Sequence, residues 1–221
     1  MSAVSVALSI NNHQTSHTHW AVGEDLGVLA DIFDDAVTIA IMRRTLGPAL
    51  RQSIQAQCGP HAWQLSWIGS PCEMLEQQLA KQLPAPAQAQ ALLTDVRLLA
   101  EATACLFEVE RVAIRLRLLQ AAMCPRFHYD NLPVRLVSTY SGPGSEWLPE
   151  AALERAGLGP PTPGQPETVR DASAVQQLAP GDVALLKGSG WIGNEGRGLV
   201  HRSPVVSADQ KRLLLTIDPC F

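Results

Sequence analysis

Along the chain, apolar positions first recur at helical intervals and then, past Arg111, alternate as strands do. Leu26, Leu29, Ala30 and Phe33 follow the acidic Glu24 and Asp25, a pattern that predicts a short helix over 24–33. Val37 to Met42 is rich in β-branched residues and predicts a strand, with a continuing helix as the competing reading. Pro48 suits the first turn of a helix reaching about Gln57, where Cys58-Gly59-Pro60 stops it. Trp63 to Ile68 reads as a strand, and a helix then runs from Ser70-Pro71 along Leu75, Leu79 and Leu83 to Pro84. After a linker over 84–86 comes the longest helical pattern, Ala87 to about Glu108, with Leu92, Val96, Leu99, Thr103 and Leu106 on one face. Such a face packs on a sheet.

Beyond Arg111, Val112 to Leu118 alternates apolar with small or basic residues, the period of a strand with one wet face. Val134 to Tyr140, Val183 to Lys187 and Arg212 to Ile217 are further strands, with turns at 141–144 and 180–182. A proline-rich loop at 157–168 is expected on the surface, where active-site lids often lie, and a glycine-rich loop at 188–198 is expected to act as a flexible flap. No internal repeat is present. The organisation expected is a loose tail over 1–22 and a single domain over 23–221. In that domain 23–110 is mainly helical support, and 111–221 is the core that carries the chemistry.

Composition narrows the class. With 46% hydrophobic and 17% charged residues, the chain folds rather than remaining disordered. A net charge of −4 provides no basic field for a phosphate backbone, so no nucleic acid partner is expected. Met1 to Ile10 lacks a basic signal-peptide start, and no apolar run is long enough to span a bilayer, which points to a cytoplasmic protein without a membrane partner. The five cysteines are scattered and never form C-x-x-C, which argues against a disulfide framework and a zinc ribbon. His13, His17 and His19 lie among polar residues and read as part of the tail, without a metal.

The candidate chemistry lies in Phe127-His128-Tyr129-Asp130 and Val200-His201-Arg202-Ser203-Pro204. On an extended backbone His128 and Asp130 point the same way, and a folded sheet can bring His201 to them as a third ligand. Two imidazoles and a carboxylate form the facial triad of non-haem Fe(II) sites and leave positions for a bidentate 2-oxo acid and oxygen. The distal carboxylate of such a co-substrate needs a buried cation. Arg212, eleven residues after His201, fits that role through its planar fork, with Thr216 on the same strand face as a hydroxyl donor. Lys211 is the competing cation, on the opposite face. Cys124 is a further possible ligand, and with it the set would close around zinc. Trp147 and Trp191 are candidate pocket walls, and Asn131 and Arg202 either meet substrate or brace loops.

On His128, Asp130, His201 and Arg212 the chain resembles the Fe(II)/2-oxoglutarate-dependent oxygenase superfamily over about 111–218. Arg135 to Leu148 is similar to its strand, glycine turn and return, and Pro180 to Lys187 to the turn and strand before its distal histidine. The resemblance implies an α+β fold: a helical N-terminal part packed on a C-terminal double-stranded β-helix, jelly-roll or cupin-like. More narrowly, CPRFHYDNLPVRL and GNEGRGLVHRSP resemble a bacterial family of unknown function, found near CobW-like metal-chaperone GTPases. The expectation is an oxygenase binding Fe(II) at His128, Asp130 and His201 and 2-oxoglutarate at Arg212, acting on an unidentified small molecule or protein. The alternative is a zinc-binding protein of metal homeostasis, using Cys124 and a chaperone GTPase partner. A third reading is a cupin-type isomerase or dioxygenase that needs no 2-oxo acid. Monomer and homodimer both remain open.

Overall fold

The computed structural model describes residues 18–207 and 209–221. Strand β1 (Trp20–Gly23) leads through a 3-10 helix (Leu26–Phe33) to β2 (Ile39–Met42), α1 (Pro48–Gln57), β3 (Trp63–Gly69), α2 (Met74–Ala80) and α3 (Gln90–Leu106). Then come β4 (Val112–Leu119), β5 (Val134–Ser141), β6 (Glu146–Trp147), β7 (Gln176–Gln177), β8 (Val183–Lys187), β9 (His201–Arg202) and β10 (Arg212–Pro219). A seven-stranded sheet has the order β1-β2-β8-β5-β10-β4-β3, and a three-stranded sheet the order β7-β6-β9. Only the β1–β2 pair is parallel among the strand pairs of the described residues.

Alternation explains the layers. Leu213, Leu215 and Ile217 of β10 join Ile114, Leu116 and Leu118 of β4 in the main core, against Leu92, Val96 and Leu99 of α3. Arg212, Leu214 and Thr216 point to the other face, as the period of two requires. There Leu214 packs with Val137, Leu186, Ile39, Trp147 and Leu199. A polar tie fixes the helix layer: Asp95 of α3 accepts two hydrogen bonds from Arg44, at 2.5 and 2.9 Å, and one from Tyr140 Oη of β5 at 2.6 Å.

Strands β2 and β3 fall where the patterns at 37–42 and 63–68 predict strands; with β1 they end the large sheet, β1 and β2 at one side and β3 at the other. One expectation is corrected. The stretch 18–22 is built into the fold. His19 stacks edge-on against Trp20 and Trp147, its Nδ1 lies 2.6 Å from Thr38 Oγ1, and its Nε2 accepts from the Glu150 amide. Burial lowers the His19 pKa. The rest of the tail, with His13 and His17, lies outside the described residues. No helix among the described residues is long and apolar enough to cross a membrane.

Candidate metal centre

Two backbone hydrogen bonds place the imidazoles side by side. His128 N donates to His201 O at 3.0 Å, and His201 N donates to His128 O at 2.8 Å, an antiparallel bridge that extends the small sheet past β9. Directly opposed residues of an antiparallel pair point to the same face. His128, His201 and Trp147, which is opposite His201 on β6, therefore share the face turned to the large sheet. Phe127, Leu148 and Val200 point outward into a separate apolar cluster. Leu158, Val169 and Val175 pack on that cluster, so the proline-rich loop covers the outer side of the small sheet.

His128 Nε2 lies 4.0 Å from Asp130 Oδ1, and His201 Nε2 lies 4.0 Å from Asp130 Oδ2. The three residues form the one metal-competent group of this kind among the described residues, with donor atoms within 4.8 Å of one another. Each imidazole is oriented by its other nitrogen: His128 Nδ1 sits 2.9 Å from Arg126 O and His201 Nδ1 3.1 Å from Leu199 O. Because a carbonyl only accepts, both Nδ1 atoms carry the proton and both Nε2 lone pairs face the centre. Burial lowers the His201 pKa to about 4, so the ring is neutral, the form a metal requires.

Asp130 is held from behind. Arg135 Nη1 donates to its Oδ2 at 2.8 Å and grips Asp218 through Nε and Nη2, at 2.6 and 2.8 Å. Asp218 also accepts from Arg115 at 2.6 Å. Sequence reading missed Arg135 and Asp218, although the alternation of β5 placed Arg135 on the same face as Val137. The backbone of Asp130 is pinned by Ser189 N at 2.9 Å. The glycine-rich loop is therefore no flap: it is a wall. A side-chain carbon at Gly188 would run into the Leu132 carbonyl oxygen, and one at Gly198 would press on Tyr129 Cβ at 3.1 Å. Asn194, also buried, ties the loop to itself through Gly188 O.

Arg212 is 1% exposed and meets no carboxylate among the described residues. Its Nη2 donates to Thr139 Oγ1 at 3.2 Å and Ser145 Oγ at 2.7 Å, while its Nε has no partner. Burial alone draws its pKa down to about 10. A buried guanidinium with an orphan donor and no counter-charge is costly, and an anion beside it would relieve that cost. Thr216 is buried on the same face two positions past Leu214.

The remaining candidates lie elsewhere. Cys124 is outside the triad, with its amide 3.3 Å from Ser203 Oγ, so the closed four-ligand set does not form. Lys211 Nζ donates to Gly59 O, on the side away from the triad face. Arg202 pairs with Glu146 at 2.6 Å and covers the Phe127 ring, on the outer face of the small sheet. Asn131 is exposed and accepts from Ser189 Oγ, bracing the loop. Trp191 lies on the helix side, among Phe33, Phe107 and the Lys187 ammonium, and lines a cavity of about 760 Å³ there. Trp147 does stand beside the histidines.

In solved structures the fold recurs. The dioxygenase for auxin oxidation 1 from Arabidopsis thaliana, in its binary complex with 2-oxoglutarate, is 10% identical over 90% of each chain, with a TM-score of 0.54. The rice dioxygenase for auxin oxidation is 13% identical over 90% of this chain and 81% of its own, with a TM-score of 0.49. A Pseudomonas putida prolyl-4-hydroxylase is 14% identical over 87% and 96%, with a TM-score of 0.43. No curated protein sequence matches the chain. The family described as a protein of unknown function (DUF1826) matches residues 23–218, and the chain belongs to that family.

Proposed function

We propose that the protein is a non-haem Fe(II)- and 2-oxoglutarate-dependent oxygenase of the hydroxylase type, built on a double-stranded β-helix with a helical layer behind it. The observation that carries this reading is Arg212, a buried cation without an anion, on the face of β10 that looks toward a two-histidine, one-carboxylate triad. A two-carboxylate oxo acid satisfies both ends of that arrangement: its oxo-acid end binds a metal and its far carboxylate meets a guanidinium fork. A cupin-type centre that needs no oxo acid leaves the buried Arg212 charge unexplained. A zinc centre closed by Cys124 lacks its fourth ligand.

In this reading His128, Asp130 and His201 hold the iron through two neutral Nε2 atoms and one carboxylate oxygen. Arg212, with the Ser145 and Thr139 hydroxyls beside it, holds the far carboxylate, and Thr216 lines the same floor. With dioxygen as the oxidant, bound Fe(II) and 2-oxoglutarate would supply oxidative decarboxylation of the oxo acid coupled to oxidation of a substrate C–H bond. The protein's own contribution is order. The histidine bridge fixes the ring spacing, Arg135 aims Asp130, and Leu214, Val137, Leu186 and Trp147 keep water from the floor between the sheets.

The test is an anaerobic titration of the metal-free protein with Fe(II) and then 2-oxoglutarate, following the visible charge-transfer absorption of the chelate. The band should appear, vanish in His128→Ala, and require far more 2-oxoglutarate in Arg212→Met. Iron that binds without the band, or a band indifferent to Arg212, overturns the proposal.

A further inference from the structure

The large sheet is wider than the sheet that faces it, and the uncovered strip carries arginines. On β2, β8, β5 and β10 the face turned to the small sheet buries Ile39, Leu186, Val137 and Leu214, together with the polar Arg212 and Thr216. On β4 and β3 the same face presents Arg115 and Arg117, with Ser66 and Gln64 beside them in register. All four are exposed or half-buried. Arg115 lies beside Thr216 and Arg117 beside Leu214, one strand away from the Arg212 strand. Toward the triad the chain of contacts is unbroken, from Arg115 to Asp218, from Asp218 to Arg135, and from Arg135 to Asp130. Ion pairs therefore link the triad to this polar strip, the shelf.

Charge on that shelf is unbalanced. Arg115, Arg117 and Arg135 have two carboxylates among them, Asp218 paired with Arg115 and Arg135, and Asp130 paired with Arg135 and shared with the triad. Arg117 has no ion pair among the described residues, and its recorded polar contact is the Met123 sulfur, a weak acceptor, at 3.3 Å. Partial burial and the guanidiniums of Arg115 and Arg135 lower its pKa, outweighing the opposite pull of Asp218 and Cys124. An arginine on an open surface is satisfied by water and needs no ligand. This one stands on a floor continuous with a metal triad, in a row of like charge. Arg115 and Arg117, two residues apart on one strand, are roughly 7 Å apart at the backbone, a spacing across which their long side chains can converge on one oxyanion.

We propose that this shelf binds an oxyanion of the substrate, a carboxylate or a phosphate, with Arg117 as the principal contact and Arg115 as the second. The substrate's oxidisable carbon then lies toward His128, Asp130 and His201, and a neutral compound of the same shape is discriminated against. That the anion belongs to a substrate rests on the oxygenase reading; the anion site itself does not.

The experiment measures binding of phenylacetate, phenyl phosphate and the neutral phenylacetamide by titration calorimetry. It is run on the metal-free protein and on the anaerobic protein loaded with Fe(II) and 2-oxoglutarate. At least one anion should bind roughly tenfold tighter than the amide, as a charge-assisted contact provides. The preference should collapse in Arg117→Gln and return in Arg117→Lys, with no change in the 2-oxoglutarate needed to develop the absorption band. Tighter phenyl phosphate assigns a phosphate, and tighter phenylacetate a carboxylate. Equal binding of anions and amide, no binding of any probe, or a preference that survives Arg117→Gln overturns the proposal. So does a raised 2-oxoglutarate requirement in Arg117→Gln, which would make the residue a co-substrate contact. An anion preference in protein that never develops the band keeps the anion site and removes the oxygenase reading, so the two failures are distinct.

Discussion

Replacing Arg212 by methionine should make the ligand-free protein more stable. The guanidinium is buried, has no carboxylate beside it among the described residues, and leaves Nε unpartnered. Burial draws its pKa down to about 10. Measured against the ordinary arginine value, that is a penalty of about 3 kcal/mol on the folded state. Since the folded value lies below the unfolded one, the penalty is complete at neutral pH and is relieved as pH rises from about 10 to the unfolded value. Against it stand the hydrogen bonds to Thr139 and Ser145, each worth about 1 kcal/mol. Methionine keeps most of the stem's packing, so a gain of about 1 kcal/mol remains. Urea unfolding at pH 7, followed by circular dichroism, measures it. With Fe(II) and 2-oxoglutarate present the order should reverse: wild type gains about 3 kcal/mol at hundredfold excess over Kd, and the variant gains far less. A ligand-free variant less stable than wild type, with ligand stabilising both proteins equally, would mean that Arg212 is a strut of the fold and not a receptor.

Three further outcomes follow from the same contacts. Asp95→Ala strands the Arg44 guanidinium and the Tyr140 hydroxyl and should cost about 3 kcal/mol in urea unfolding, with metal affinity unchanged in the folded fraction. Gly188→Ala pushes the Leu132 carbonyl and should lower Fe(II) affinity roughly tenfold or more, because the displaced segment carries Asp130; an unaltered titration would show that the wall yields. Cys124→Ser should leave zinc and iron affinity within about twofold, and a large drop in zinc affinity alone would restore a four-ligand centre.

The sequence showed the triad but not what holds it. His128, Asp130 and His201 were legible because the chemistry needs few residue types and the alternation of strands aims them. The strands of the large sheet, α1 and α3 were legible for the same reason, since each buries one face. Strand β1 was not, because its four residues are too few to display a period. Arg135 and Asp218 are 83 residues apart, and their pairing depends on the register of β5 against β10, which no local pattern encodes.

The glycine-rich loop shows where composition runs out. A glycine serves either to let a backbone move or to let two backbones approach, and the two uses look identical in a sequence. What separates them is the neighbour that a side-chain carbon would strike. At Gly188 that neighbour is the carbonyl of Leu132, two residues past Asp130; at Gly198 it is the Ser189 amide nitrogen of the loop itself at 2.8 Å, with Tyr129 Cβ, between His128 and Asp130, at 3.1 Å. The loop also ends at His201, so one rigid wall abuts both halves of the triad. The three side chains of the triad are thus positioned by backbone contact on a fixed frame, and the half-buried Arg115 and Arg117 stand on the strip of the large sheet beyond it.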